Sequence, residues 1–350
     1  MNMRSILGVV AASLTLLHPV TAQQPSGAPE FITAVPESPA FIFLNASPTK
    51  VTRPGATRDF GASLINGIND EGKVQQGFAL EATPIDVVPG FNLTLPEYRK
   101  WLNFVAANAQ FSVGTVRAAA DSASTDLAVG LRLTLLDQGD PLLFQTFTTQ
   151  LGGQLRKCTA VNPNTPNDKI EKTIAACADS VTSDAYGTWT KEHWNARRVA
   201  VGIAGGTRLE QSSLSDTDGL GAQLWAVAAN PIGSRAQIIA QLTGGRRTFG
   251  TDSVASTRIT YGARFVGGSA TFNGFAELVG EHSSLTSKTT ALWSGGVEFR
   301  ISEDLWIATG LGTRYHELEK DARSVVFANL RWGVTSNSRF AEIRKAALTR

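Results

Sequence analysis

The sequence predicts an all-β fold, an antiparallel up-and-down transmembrane β-barrel of about twelve strands carrying one helical insertion. Three observations lead there: apolar and polar side chains alternate with a period of two after Gly77, many alternating segments are about ten residues long, and charges of both signs sit mid-segment on the polar face. A period of two puts all apolar side chains of a strand on one face. Globular strands average about 5–6 residues, whereas a tilted strand needs about 9–11 to cross a hydrocarbon core.

From Asp126 to Leu135 the apolar row is Leu127, Val129, Leu131, Leu133 and Leu135, facing away from Ala128, Gly130, Arg132 and Thr134. Ile259, Tyr261, Ala263 and Phe265 form a second row, Ala291 to Ile301 a third, and Val326 to Val334 a fourth. Weaker alternation marks Phe78–Ile85, Ala107–Thr115, Val199–Leu209, Leu220–Ala228, Ala236–Thr243, Ala270–Glu281 and Leu305–Tyr315. Turn residues separate the strands at Pro231-Ile232-Gly233, Gly267-Gly268-Ser269 and Ser302-Glu303-Asp304. Asp59–Ile65 supplies a twelfth strand and restores the even number usual in bacterial barrels. With that count the tight turns share one end, together with the insertion, and the connections around Asp216, Thr251, Ser284 and Lys320 share the other.

The polar face decides which side is wet. It carries Arg132, Arg258, Arg264, Glu277, Glu298, Arg300, Arg314 and Arg331. An arginine facing lipid near the midplane costs about 2–4 kcal/mol, so these residues are expected to line an aqueous lumen. The apolar row, with Tyr261, Trp293, Tyr315 and Trp332, faces the other way. A closed barrel also satisfies every backbone hydrogen bond between strands.

The flanking regions have their own signatures. Residues 1–22 read as a secretory signal peptide: Arg4, an apolar run from Ile6 to Leu17 too short to span a bilayer, and small residues around Val20-Thr21-Ala22. Residues 23–57 hold six prolines, which exclude helix interiors and central strands; they form either an extended arm or a plug entering the barrel. The barrel covers 58–335, its helical insertion 138–196, and a polar tail 336–350. Within the insertion Leu143, Phe147 and Leu151 recur at helical spacing, and Asp168–Ala178 reads as a second short helix opened by Asn167. Cys158 and Cys177 lie there as an isolated pair. In an oxidising compartment they are expected to form a disulfide worth about 3 kcal/mol from loop-closure entropy.

Chemistry-bearing motifs are missing from the sequence. It has no G-x-S-x-G, Walker, H-E-x-x-H or EF-hand pattern, so no enzyme activity, metal or cofactor is expected. Glu281, His282, Ser283 and Ser284 are neighbours that could be assembled into a hydrolase, but such a cluster is common by chance in a turn. With 32 basic against 30 acidic residues there is no global field to attract nucleic acid. Arg197-Arg198 and Arg246-Arg247 fall at strand ends, as solvated rim charges or as contacts to lipid head groups.

A signal peptide followed by Gly-rich alternating strands over the last three-quarters of the chain resembles Gram-negative outer-membrane β-barrel proteins. That resemblance implies the outer membrane as location and its lipid as partner. Family members commonly end on an aromatic-terminated strand; here Trp332–Val334 is followed by the polar tail. The expected function is a small-solute channel or binding pore with a charged lumen. Its alternatives are a non-conducting structural or assembly barrel whose insertion binds a periplasmic or outer-membrane protein, and a soluble secreted β-sandwich.

Overall fold

The computed structural model describes residues 39–44, 73–74, 76–83, 93–118, 123–158, 167–249, 254–285, 287–302, 305–316 and 321–332. The signal peptide, Asp59–Ile65 and the polar tail lie outside the described residues, as does most of the proline-rich arm. The elements, in order, are α1 (Pro39–Phe43), β1 (Ala79–Ala82), α2 (Leu95–Tyr98), α3 (Trp101–Ala107), β2 (Gln110–Arg117) and β3 (Thr125–Asp137), then α4 (Gln145–Cys158) and α5 (Asn167–Glu192). The meander resumes with β4 (Arg198–Leu209), β5 (Thr217–Ile232), β6 (Ala236–Phe249), β7 (Val254–Gly268), β8 (Phe272–Ser283), β9 (Lys288–Ser302), β10 (Leu305–His316) and β11 (Asp321–Trp332).

All eleven strands belong to one antiparallel sheet whose spatial order is the chain order. Strands β3 to β11 are 12 to 16 residues long, as the long alternating rows require. Tight connections close one end. Gly233 holds a positive φ of 63° in the β5–β6 turn, where a side chain would be strained. At the end of β7, Gly268 (φ 150°) donates its N–H to the Arg235 carbonyl at 2.8 Å, and a Cβ there would strike the Phe272 carbonyl.

Burial alternates along the strands. On β7 Ser256, Arg264 and Val266 are buried while Ile259, Tyr261 and Phe265 are exposed; on β5 Trp225, Val227 and Ala229 are buried while Leu224 is exposed. Among the described residues, the five-residue α1 packs against β2, β3 and β4 on the buried face. The buried face carries apolar as well as polar side chains. Trp225, Val227, Ile239, Val266 and Phe275 form an apolar core there with α1.

Other expectations are revised by the local structure. Ala107 ends helix α3 rather than opening a strand, and β2 begins at Gln110. The strand expected at Phe78–Ile85 is four residues, Ala79–Ala82. The second helix of the insertion does not stop at Ala178 but runs 26 residues to Glu192. The extension is held by packing: Val181, Ala185 and Trp189 continue the stripe that faces Phe147, Leu151 and Leu155 of α4. Cys158 and Cys177 are disulfide-bonded with Cα atoms 5.7 Å apart, tying α4 to α5. Among the described residues no helix is long and apolar enough to cross a membrane.

Candidate functional site

The candidate site is the buried face of the sheet and the helix seated on it. Five residues cannot sustain a helix alone, because nucleation costs more than one turn returns. Pro39 opens α1 with its φ already helical. Tertiary contact does the rest. Ala40, Phe41, Phe43 and Leu44 are all buried, each phenylalanine contributing about 2–3 kcal/mol by leaving water. The Ala40 N–H, one of the unpaired donors of the first turn, donates to Ser112 Oγ on β2 at 3.1 Å.

Three glycines on adjacent strands shape the seat. A Cβ at Gly114 of β2 would lie 2.7 Å from Phe41, one at Gly206 of β4 would lie 2.5 Å from Phe43, and one at Gly130 of β3 would overlap Pro39. Any larger residue at Gly114 or Gly130 therefore competes with α1 for the same volume. From β6, the Arg247 guanidinium stacks over the Phe43 ring at 5.1 Å from the centroid.

Across the apolar core from this seat lies an ion cluster on β7, β8 and β9. Arg264 of β7 stands opposite Glu277 of β8 in register, with Nη1 3.8 Å from Glu277 Oε2. Its Nη2 donates to Glu298 Oε1 of β9, reaching past the intervening strand. The Phe275 ring packs against the guanidinium at 4.1 Å. All three charged groups are buried, as are Asn273 and Ser294 beside them. The guanidinium is shared between two carboxylates and offsets part of their charge, in keeping with the cost of burying charge unpaired.

The remaining expected residues separate toward the two ends. At the end away from the tight turns, Arg208 makes a two-pronged contact with Asp126 (2.8 and 3.3 Å), and Arg258 lies 3.4 Å from Glu281. Toward the other end Arg132 donates to Gln110 at 3.2 Å, Arg198 donates to Asp137 at 2.9 Å, and Arg300 is half-buried near the end of β9. Positions 314 and 331 pair in register with Arg323 and Trp306. Among the described side chains, Arg264, Glu277 and Glu298 are the expected polar-face residues that converge in one cluster.

His282 and Ser283 are successive residues of β8, so their side chains leave opposite faces of the sheet. The His282 Nδ1 is 3.2 Å from Thr289 Oγ1, while Ser284 Oγ accepts the Thr257 N–H at 2.9 Å.

At the tight-turn end, Trp189 of α5 stacks on His193 with centroids 3.7 Å apart, and its indole N–H donates to the Gly139 carbonyl at 2.9 Å. Asn195 donates to the carbonyls of Gly233 and Ala236, fixing the base of the insertion to the β5–β6 turn. The capping box Thr94-x-x-Glu97, which opens α2, was a readable signal that alternation alone passes over. No family model matches the sequence, and no curated protein is significantly similar to it.

Proposed function

We propose that the protein is an outer-membrane β-barrel held closed by its own N-terminal helix, a plugged small-solute pore. One observation carries the membrane reading: the outward row of the strands is apolar and exposed. Leu278 is 62% exposed and Leu224 59%, while Arg264 on the opposite face is 1% exposed. Contiguous exposed apolar surface on a sheet this wide is costly in water, and in lipid it is the expected exterior.

Strand direction supports closure into a barrel. In an antiparallel meander of eleven strands, β1 and β11 run the same way. A strand placed between them and antiparallel to both makes the number twelve and removes the open edges. Asp59–Ile65 has the alternation and the position in the chain to be that strand.

The plug reading is supported by the glycine seat. On this reading, departure of α1 frees the volume over Gly114, Gly130 and Gly206 that Pro39, Phe41 and Phe43 now fill. The test is planar-bilayer recording from the mature chain, a variant lacking residues 39–44, and Gly130→Leu. Near-silence of the parent chain with steady conductance in both variants is the expected result. Steady conductance in the parent chain overturns the plug. A mature chain that stays soluble without detergent overturns the membrane reading in favour of a secreted sandwich.

The apolar cluster of Trp225, Val227, Ile239, Val266 and Phe275 favours a second reading, a non-conducting barrel that anchors the disulfide-tied helical insertion for a protein partner. Silence of all three chains would select it.

A further inference from the structure

The segment between β1 and β2 holds two short helices whose outward face is apolar and exposed. We propose that α2–α3 is a membrane-interface foot, seated at the boundary between head groups and acyl chains on the tight-turn side of the barrel. This rests on the membrane reading above.

The inward face of the foot is firmly fixed. Phe104 and Ala107 pack with Tyr98 and Leu142 in a small core of their own. The Tyr98 hydroxyl donates to Asp140 Oδ2 at 2.5 Å and accepts from Asn108 Nδ2 at 2.9 Å. Arg99 Nε donates to the Leu142 carbonyl at 3.0 Å. The opposite face, by contrast, presents Leu95, Trp101 and Leu102, the last 71% exposed. A rigidly held apolar surface of this kind is not a frayed loop.

Its occupant follows from what it continues. The Trp101 indole N–H donates to the Leu135 carbonyl at 2.9 Å, which lays the ring beside the end of β3. Leu135 is the bulged residue between Thr134 and Leu136, four residues beyond Leu131, which with Val129 forms the exposed outer row of the same strand. From Leu131, the middle residue of β3, four residues at about 3.3 Å each and a tilt of about 45° give a depth of about 9 Å. The apolar band of such barrels is about 25 Å tall, so its edge lies about 12 Å from the centre. Trp101 therefore falls just inside that edge, the level where tryptophan is enriched because its ring is apolar and its N–H polar. Exposed Lys100 and the polar cap Thr94–Glu97 flank the patch, where head groups and water would meet them. A protein partner would need no such match between depth and residue type.

Environment-sensitive labels test this on the full mature chain in phospholipid vesicles. The native cysteines are both in the disulfide, so Leu102→Cys, Leu278→Cys and Ser284→Cys each introduce a single thiol. The Leu102 label is expected to be quenched more by bromines placed near the head groups than by bromines deep in the acyl chains. Leu278 is expected to show the reverse and Ser284 to respond to aqueous iodide alone. If Leu278 is quenched by lipid while Leu102 responds only to iodide, or only to an added protein, the foot is refuted and the barrel stands. If Leu278 too escapes lipid, the membrane reading itself has failed. Heat-dependent gel mobility of each variant, matched to the parent chain, certifies folding.

Discussion

Arg264 holds carboxylates from two other strands in a place that water barely reaches, so its removal takes a shared cation away from two buried carboxylates. Arg264→Leu is expected to lose about 3–5 kcal/mol of stability. Adding Glu277→Gln and Glu298→Gln should recover most of the loss. Urea titration of folded protein in detergent, followed by gel mobility, measures both. A triple variant no more stable than the single would show that the guanidinium acts through packing on Phe275 instead. Glycine works in the opposite sense. Gly114→Ala and Gly130→Ala should leave the sheet intact but release α1, since the atoms their Cβ would meet most closely belong to α1. Protease cleavage near Phe43, slow in the parent chain and faster in the variants, reports that release.

At the scale of elements, the hairpin α4–α5 and the foot α2–α3 each have a distinct fastening. Cys158→Ser with Cys177→Ser is expected to cost the hairpin about 3 kcal/mol while the strands hold; faster amide exchange confined to α4 and α5 checks it. The foot depends on pH. Hydrogen bonds from the Thr94 backbone N–H and hydroxyl hold the Glu97 carboxylate below its ordinary pKa. A lowered folded-state value means that the cap stabilises α2 above the ordinary value of 4.5 and fades as pH falls through the lowered one. Amide exchange at Tyr98 should thus accelerate in acid, relative to its intrinsic rate, and Glu97→Gln should flatten the dependence. The strands were legible because their outer rows, Val129 to Leu135 or Ile259 to Phe265, alternate without exception. The foot and α1 were less so: Pro39–Phe43 is too short for a helical period, and its seat is made of glycines, whose effect is the absence of a side chain. Trp225, Val227 and Ile239 turn inward on strands where both faces are apolar or small. Parity there has no contrast, and only the register with β4 and β7 decides it.

For the whole molecule, the proposed barrel predicts that the mature chain sediments with outer membranes and migrates faster on gels before heating than after. Identical mobility in both states would argue against a closed barrel. The base of the insertion also has a consequence for how such a chain is put together. Asp137 faces Arg198 in the β3–β4 ladder, and the Gln138 N–H donates to the Arg197 carbonyl at 2.9 Å. The two ends of the intervening chain therefore stand no farther apart than the ends of an ordinary hairpin turn. A short loop in place of the 26-residue helix and its disulfide partner would therefore keep the β3–β4 register, while giving up the ties to the β5–β6 turn and to α2–α3.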